Sequence, residues 1–390
     1  MSAAGSVAFV VEHPYVDALA CFREAIKLLA DGGWSVDLYT RLTSQHQAPS
    51  FERDRVRLIP ISLTRRGTME LVAALAMRRT PYDAIFTVPQ WSLHYAVTAA
   101  RLRGTPVIYI SDEIIAEAEL DTPEKRARKA RERRDHAACA MTIALSPERA
   151  ETIRRENHLP AAHPILVVPN SAPAPATRLR SHYFADTLDL TPDTFIALHA
   201  GGLGWRPTEE LLRVAAGWGE GDPMLVMQGR LHAQVATRRD EGRVRFARTT
   251  LPSQLLDYAV SSAHVGLALY DAQKLNDRVM GTASGKLNLY LKNALPVITT
   301  ALDCFEFVES EGVGVRVREV TEIPAAIERI RADYDGYVRR VRAFYDANLD
   351  FSANFAPVIA ALEQLRSGER VGVAATGGVR AGATASVRSV

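Results

Sequence analysis

The chain has 390 residues, of which 47% are hydrophobic and 24% are charged, and its formal net charge at pH 7 is +2. This length exceeds one ordinary hydrophobic core, so two domains are expected, and the near-neutral charge gives no whole-protein argument for nucleic-acid binding. The three cysteines are isolated and match no metal or disulfide spacing, which is typical of a reducing compartment. No apolar run approaches membrane-spanning length, so we expect a cytoplasmic protein.

The first half of the chain alternates short apolar runs with helical patterns. Residues 7–11 predict a strand, residues 16–29 an amphipathic helix that ends at a Gly-Gly pair, and residues 34–40 the next strand. This βαβ unit predicts a parallel sheet whose ligand-binding edge lies at the carboxyl ends of its strands. The alternation continues with strands predicted over residues 56–61, 84–88, 107–111, 140–145 and 165–168, and with helices over residues 68–78, 93–102 and 147–157.

Polar residues directly follow two of these strands. Glu12, His13 and Tyr15 come after the first strand, and Asp112 and Glu113 come after the strand over residues 107–111. Side chains at this edge are well placed to meet a polar substrate, and His13 is a candidate for a functional role. The alternatives stay open: a histidine there can cap a turn, and carboxylates routinely cap helices.

The run from Lys125 to Arg134 is the one concentrated basic stretch. On a helix it forms a charged face broken only by Ala127 and Ala130. A solvated helix face is the ordinary explanation of such a run. The more specific alternative is a surface patch that meets anionic lipid headgroups or a phosphorylated acceptor.

Composition divides the chain into domains. Residues 171–192 are proline-rich and show little periodicity, which predicts a linker between a domain over residues 1–170 and a second domain over residues 193–349. Residues 367–390 are small, glycine-rich and aperiodic, so we expect a disordered tail. The second half resumes the alternation, with strands predicted over residues 195–199, 224–227, 244–246, 265–270, 296–299 and 313–317, and helices over residues 207–216, 253–258, 323–331, 337–348 and 355–365.

Residues 265–300 form a strand, loop, helix and strand unit. Ser284, Gly285 and Lys286 stand where the polar loop becomes a helix whose leucines recur at spacing four. A helix N-terminus offers unpaired N–H groups and a partial positive charge, and the lysine adds a full charge, so the arrangement suits an anion, most naturally a diphosphate. An exposed lysine on a first helical turn is the alternative explanation.

Two other strand ends of the second half carry glycine and arginine, over residues 201–206 and at Gly229 and Arg230. Together with the Ser-Gly-Lys segment they indicate a nucleotide-diphosphate site with Arg206 and Lys286 as counter-charges. A dinucleotide-binding fold is a rival because Gly202-x-Gly204 follows a strand, although Pro207 occupies the third glycine position. The sequence has no P-loop, GxSxG elbow or HExxH motif, which removes the commonest hydrolase signatures.

Five segments, taken in order and spacing, resemble those of GT-B-fold glycosyltransferases, in particular the retaining, family 4-like group that uses nucleotide-sugar donors. The most specific of them is similar to the family signature K-L-x-x-Y-L-x-x-G-L-P-V-I. The segments are residues 165–170 (ILVVPN), 199–206 (HAGGLGWR), 226–229 (VMQG), 251–256 (LPSQLL) and 284–298 (SGKLNLYLKNALPVI). The resemblance spans roughly residues 5–365 and implies an α/β fold of two Rossmann-like, doubly wound domains that face a central cleft.

By this resemblance the C-terminal domain binds the donor and the N-terminal domain binds the acceptor. Arg206 and Lys286 would hold the diphosphate, and His13 would approach the sugar, which makes these three the expected catalytic residues. The other expected donor contacts are Gly202, Gly204, Arg230, Leu251, Ser284, Gly285 and Leu287. Glu12, Tyr15, Asp112 and Glu113 would meet the acceptor, and a last helix over about residues 350–366 would cross back to the first domain.

The resemblance implies no metal ion and no cofactor, because the nucleotide sugar is itself a substrate. A UDP-sugar is the favoured donor, with GDP- and TDP-sugars as alternatives. The acceptor is a glycan, a glycolipid or another small molecule, and its class is not readable from the sequence. Acceptor loops are polar and variable and carry no motif.

The chain departs from the family pattern at three positions. Gly281 and Leu289 stand where the family usually carries two glutamates, one reaching the sugar and one the ribose hydroxyls. Leu289 cannot hydrogen-bond a ribose, and Ala294 replaces the glycine that usually precedes Leu-Pro-Val-Ile. Two other functions therefore stay open, a non-catalytic binding or scaffolding relative and a nucleotide-sugar epimerase on the same fold.

Overall fold

The computed structural model of the chain describes residues 4–12, 19–41, 53–201, 206–229, 238–249, 251–369 and 371. The chain divides into two compact units. Unit 1 takes in Met1–Pro173, Val279–Gly285 and Phe351–Thr376, and unit 2 takes in Ala174–Arg278 and Lys286–Asp350. The segment 279–285, which the sequence placed in the second domain, is therefore part of unit 1.

Unit 1 is built on a seven-stranded sheet in which all described pairs of neighbouring strands are parallel. The strand order is β3-β2-β1-β4-β5-β6-β7. The strands are β1 (Ser6–Val11), β2 (Ser35–Thr40), β3 (Val56–Pro60), β4 (Ala84–Val88), β5 (Val107–Ser111), β6 (Met141–Ala144) and β7 (Ile165–Val167). The central strands are almost wholly apolar because helices cover both faces of a parallel sheet.

Unit 2 repeats the plan with a six-stranded parallel sheet in the order β10-β9-β8-β11-β12-β13. Its strands are β8 (Ile196–Ala200), β9 (Met224–Gln228), β10 (Val244–Ala247), β11 (Val265–Ala268), β12 (Val297–Thr300) and β13 (Gly314–Val317). In both units the first strand lies inside the sheet and the fourth lies beside it, which is the doubly wound order. The predicted α/β, doubly wound fold class is confirmed.

The helices of the described residues connect these strands. They are α1 (Ala20–Asp31), α2 (Arg65–Ala76), α3 (Gln90–Arg103), α4 (Pro123–His136), α5 (Pro147–Glu156), α6 (Tyr183–Thr187), α7 (Arg206–Ala215), α8 (Ser253–Ser261), α9 (Leu275–Arg278), α10 (Gly285–Lys292), α11 (Phe307–Ser310), α12 (Ile323–Ala332), α13 (Tyr334–Asn348) and α14 (Phe351–Arg366). None of the helices in the described ranges is long and apolar enough to span a membrane.

The core of unit 1 lies on both faces of its sheet. One face packs against α1 and α14 through residues such as Phe22, Ile26 and Val358, and the other packs against α2 and α3 through residues such as Leu71 and Leu93. Helix α14 begins at Phe351, as the resemblance implied with a last helix over about residues 350–366, and four residues before the start that the apolar spacing predicted. Phe351 and Phe355 are both buried and stack with ring centroids 5.2 Å apart, so the helical spacing of apolar residues extends one turn further back.

Two segments differ from the sequence-based expectation. The predicted linker over residues 171–192 is part of unit 2 from Ala174 onward and contains helix α6. The predicted helix over residues 16–29 begins at Ala20, and residues 13–18 lie outside the described part of the chain. Most of the predicted tail, residue 370 and residues 372–390, also lies outside it.

Helix α4 corrects the interpretation of the basic run as a uniformly charged face. Lys125, Arg128 and Arg131 are exposed, but Lys129 is buried together with Glu132. The lysine Nζ donates to Glu132 Oε2 at 3.2 Å and also to the side-chain oxygen of Asn157 at the end of α5. One side of this helix is therefore a polar part of the interior of unit 1.

Candidate functional site

The order of the strands reverses between β8 and β11 in unit 2. These neighbouring parallel strands send their following helices to opposite faces of the sheet, which opens a crevice at their carboxyl ends. Gly201 and Arg206 follow β8, and Tyr270 and Asp271 follow β11. Ligands of open α/β sheets bind at such switch points, so the topology places the predicted phosphate-binding arginine where a ligand is expected.

Arg206 is held by a carboxylate that the sequence did not single out. The residue opens α7, its side chain is about half exposed, and its Nη2 donates to Asp271 Oδ1 at 2.9 Å. The backbone N–H of Asp271 in turn donates to Asp277 Oδ2 at 2.8 Å. Asp277 is buried, and burial raises the pKa of its carboxyl. Two aspartates therefore fix the position of the arginine at the crevice.

Lys286 lies in the first turn of α10, and its side chain approaches Tyr270, the residue before Asp271. Its Nζ is 4.8 Å from the centroid of the Tyr270 ring, a cation–π distance. Burial lowers the pKa of the ammonium to about 8, an effect that the nearby carboxylate of Asp277 opposes. The loop after β8 is adjacent, because a Cβ added at Gly201 would lie 3.8 Å from the Cε of the lysine. Both predicted cations are therefore at the switch point of unit 2.

Tyr290 ties these elements together. Its ring is fully buried one turn after Lys286 on α10, and its hydroxyl accepts a hydrogen bond from the Ala200 N–H at 2.6 Å. The hydroxyl also donates to the carbonyl of Leu267 at 3.4 Å. The ring rests on Gly266, where an added Cβ would come within 2.2 Å of it. Sequence reasoning treated this tyrosine only as a member of the apolar signature and missed its polar contacts.

We expect Tyr290→Phe to lower the free energy of unfolding by about 1–3 kcal/mol, because the buried N–H of Ala200 loses its acceptor. A lower melting temperature in thermal denaturation measures the loss. Tyr337→Phe is the matched control, since Tyr337 is also a buried tyrosine of unit 2 but its hydroxyl has no hydrogen bond to the described residues. Equal melting temperatures for the two variants would contradict the role given to the Tyr290 hydroxyl.

The segment that precedes Lys286 is anchored within unit 1. The Nδ2 of Asn170 donates to the Ala283 carbonyl at 3.3 Å, and its Oδ1 accepts from the backbone N–H of Cys21 at 3.1 Å. The hydroxyl of Thr282 donates to the Leu145 carbonyl at 3.0 Å. A Cβ added at Gly285 would lie 3.0 Å from Asn170 Nδ2, so the glycine allows a close approach. These contacts give a structural reason for the asparagine that closes the motif over residues 165–170.

The other predicted donor contacts are not gathered at the switch point as Arg206 and Lys286 are. Ser284 is buried in the unit 1 segment, and Leu287 on α10 is fully buried, side chain and backbone together. Leu251 is half-buried just before α8. The remaining predicted site residues lie outside the described part of the chain: His13, Tyr15, Gly202, Gly204 and Arg230.

Unit 1 has its own acidic group at the carboxyl edge of its sheet. Asp112 follows β5, and burial raises the pKa of its carboxyl to about 6, with Arg149 opposing this shift and Glu12 adding to it. Burial likewise raises the pKa of Glu12, which is half-buried after β1. Within the described ranges, Asp112 Oδ1 is enclosed and has no hydrogen-bond partner, whereas the side chain of Glu113 is exposed. The two carboxylates that follow β5 therefore have different surroundings, although they are adjacent in sequence.

Comparison with known proteins matches residues 19–171 to the family model described as "Glycosyl transferase 4-like domain". No protein of curated function matches the chain in sequence. This part of unit 1 is therefore similar to a glycosyl transferase 4-like domain, and the resemblance drawn from the sequence is confirmed.

Solved structures show the fold of the whole chain. A sucrose-phosphate synthase from Thermosynechococcus elongatus matches with a TM-score of 0.69 at 19% identity, over 94% of this chain and 100% of that one. HepE from Anabaena, in complex with UDP and glucose, matches with a TM-score of 0.68 at 14% identity, over 92% and 100%. A putative UDP-N-acetylglucosamine 2-epimerase from Listeria monocytogenes matches with a TM-score of 0.61 at 10% identity, over 94% and 98%. These likenesses show the GT-B fold.

Proposed function

We propose that this chain, a divergent GT-B glycosyltransferase with a family 4-like first domain, transfers a sugar from a nucleotide-diphosphate sugar to a hydroxyl-bearing acceptor. A UDP-sugar is the donor that we favour, because the similar structure of HepE holds UDP and glucose. The acceptor belongs to the glycans, glycolipids or other small hydroxylated molecules. Unit 2 binds the donor in this proposal, and unit 1 binds the acceptor.

The observation that carries the proposal is the convergence of Arg206 and Lys286 at the switch point of the unit 2 sheet. Each cation is already oriented in the free protein, the arginine by its ion pair with Asp271 and the lysine by its cation–π contact with Tyr270. Groups held in place before the ligand arrives lose less conformational freedom when it binds. A bound diphosphate would accept hydrogen bonds from both side chains, and its negative charge would balance their positive charges.

Fixed cations also suit the chemistry of sugar transfer from a nucleotide diphosphate. When the bond between the anomeric carbon and the phosphate oxygen breaks, negative charge accumulates on the leaving diphosphate. Fixed charges stabilise that oxyanion more in the transition state than in the ground state, so they raise the rate and not only the affinity. The proposal assigns this role to Arg206 and Lys286, with a backbone contribution from the N-terminus of α10, and it requires no metal ion.

On the acceptor side, we assign Asp112 to binding the attacking hydroxyl. Its enclosed Oδ1 is a hydrogen-bond acceptor without a partner in the described ranges, and its pKa of about 6 leaves it largely ionised at neutral pH. The negative charge of Glu12 adds to the rise in the pKa of the Asp112 carboxyl. The exposed Glu113 has no such environment, so we assign it no role beyond the surface of this edge.

Thermal stabilisation by UDP, GDP, TDP, ADP and NAD, measured in parallel on the purified full chain, tests the donor assignment. A nucleotide at about one hundred times its dissociation constant should stabilise the protein by roughly 2.7 kcal/mol. We expect a shift with a nucleoside diphosphate, UDP first, and none with NAD. A shift in melting temperature with NAD alone would contradict the transferase proposal and favour a dinucleotide-dependent enzyme. No shift with any of these nucleotides would favour a binding protein without turnover.

The epimerase alternative is tested with the donor alone. The GT-B fold also occurs in the putative epimerase found by structural comparison. An epimerase would interconvert the sugar of a UDP-sugar with no acceptor present, whereas a transferase would leave the sugar unchanged or release it slowly to water. Analysis of the recovered donor by chromatography separates these outcomes.

A further inference from the structure

Asn170 is buried between two elements of unit 1, the start of α1 and the segment over residues 279–285. Its side-chain Oδ1 accepts a hydrogen bond from the N–H of Cys21, the second residue of α1, at 3.1 Å. Its Nδ2 donates to the carbonyl of Ala283 at 3.3 Å, and its backbone N–H donates to the carbonyl of Thr282 at 3.1 Å. The same side chain therefore uses its acceptor on a helix and its donor on the segment.

The contact with α1 accounts for only one half of this amide. The first N–H groups of a helix have no partner within the helix, so an oxygen at the N-terminus of α1 satisfies one of them. A carboxylate would serve there at least as well, because the helix dipole favours negative charge at that end. Donation to the carbonyl of Ala283, in contrast, requires the amide nitrogen. The segment over residues 279–285 is therefore the partner for which an asparagine is needed.

The segment is also attached to unit 1 at its start and at its middle. The Ser146 hydroxyl donates to the Val279 carbonyl at 3.2 Å, and the Thr282 hydroxyl donates to the Leu145 carbonyl at 3.0 Å. Thr282 is buried, and residues 281–283 form one turn of 3-10 helix. The segment is therefore a fixed part of unit 1 and not a free connection.

The fixed segment ends in the first turn of α10. Gly285 is the last residue of the segment and the first residue of the helix, and Lys286 is the second residue of the helix. A Cβ added at Gly285 would lie 3.0 Å from the Nδ2 of Asn170, so the amide lies against the backbone from which the helix starts. The backbone of Lys286 continues this turn. A displacement of the turn would move the lysine Nζ, which lies 4.8 Å from the centroid of the Tyr270 ring.

We propose that Asn170 is a positioning residue for Lys286, because it fixes the segment over residues 279–285 and with it the start of α10. This inference rests on the proposed function in one respect, the role of Lys286 as a partner of the donor diphosphate. Asn170 itself touches no substrate. A charged group that stabilises a transition state has to be held to within about 0.5 Å by the residues that support it, so the support affects the rate.

Asn170→Asp tests the proposal, because it keeps an acceptor for α1 and replaces the donor to Ala283 by a second oxygen. We expect kcat/KM for the donor to fall about tenfold, since a small displacement of a catalytic group is costly. Introduced into Lys286→Ala, the same change should lower kcat/KM by less than about twofold, because it acts through the lysine. An equal loss in both backgrounds would show a general effect on the fold and would overturn the proposal.

Thr282→Val is a second variant, and it adds no charge. It removes the hydroxyl that attaches the segment to Leu145 and nearly keeps the shape of the side chain. We expect a several-fold loss of kcat/KM that is again absent in the Lys286→Ala background. The matched control is Thr68→Val, since Thr68 is a buried threonine of unit 1 whose hydroxyl donates to the carbonyl of Arg65 at 2.8 Å. Equal losses from the two threonine variants would contradict a specific role of the segment.

Amide hydrogen exchange of the full chain without nucleotide separates this proposal from the donor assignment. In Asn170→Asp the amides of the first two turns of α10 should exchange faster than in the wild type, and those of α1 should not, because only the contact with the segment is lost. Faster exchange in α10 of a protein that binds no nucleoside diphosphate would support the positioning role and contradict the proposed function alone. Unchanged exchange in α10 would overturn the positioning role, whichever ligand the protein binds.

Discussion

Replacement of Lys286 or Arg206 by alanine should reduce kcat/KM for the nucleotide-sugar donor by roughly one to two orders of magnitude each. A charge-assisted contact to phosphate is worth about 1.5–3 kcal/mol, and each variant removes one such contact. Both side chains lie at the switch point and neither is part of the hydrophobic core, so the fold should survive. Steady-state kinetics with the donor identified by thermal stabilisation measures the effect.

The control for both variants is Arg213→Ala. Arg213 is exposed on the last turn of α7, the helix that Arg206 opens, so the variant removes one positive charge from the same helix away from the switch point. It should leave kcat/KM within about twofold of the wild type, because exposed charges at this distance are screened. Wild-type kinetics for both Lys286→Ala and Arg206→Ala would contradict the phosphate assignment.

The pH dependence of kcat/KM provides a second test of the role proposed for Lys286. Because burial lowers the pKa of Lys286 to about 8, this ammonium loses its proton at a lower pH than an ordinary lysine does. The contact to the diphosphate is present below that pKa and is lost as the pH rises through it. The kcat/KM profile, which reports groups of the free enzyme, should therefore fall above about pH 8. Lys286→Arg should remove this limb, since arginine stays protonated throughout the range.

The sequence predicted the architecture well because the elements of a doubly wound fold carry strong local signals. A strand buried on both faces must be a short apolar run, and the helices that cover it must be amphipathic. The runs at residues 107–111 and 84–88 are strands with the predicted bounds. Apolar spacing alone predicted helix ends less well, as at Phe351, because Ser352 and Asn354 interrupt the apolar pattern in the first turn of α14.

The candidate site could be predicted only where a motif marks it. Arg206 and Lys286 were proposed because each follows a glycine-bearing loop at a strand end. Asp271, which pairs with Arg206, and Asp277, which accepts from the Asp271 backbone, stand in a polar loop without periodicity, and the family pattern directs attention to residues 281 and 289 instead. No local signal reveals a hydrogen bond from Ala200 to Tyr290, because it depends on how β8 and α10 cross in space.

The largest effect on stability should come from a residue that the sequence placed on the surface. Lys129→Met removes the cation that faces Glu132 in the interior of unit 1, where both side chains are nearly inaccessible to solvent. The carboxylate would keep one hydrogen bond, from Asn157 Nδ2 at 3.2 Å, but no positive partner. Breaking a buried pair in this way costs about 3–5 kcal/mol because an uncompensated charge remains. Chemical denaturation of the wild type and the variant measures this loss of free energy.

Two further variants distinguish the effect of removing a buried cation from the effect of removing any cation of α4 on the free energy of unfolding. Arg131→Ala removes a cation two residues away on the exposed side of α4, and it should change the free energy of unfolding by no more than about 0.5 kcal/mol. The double variant Lys129→Met/Glu132→Met replaces the ion pair by apolar side chains and should recover a large part of the loss, since apolar replacement of a buried pair is often neutral. If Lys129→Met were as mild as Arg131→Ala, the lysine would have to be solvated in solution, and the basic run would be a surface feature after all.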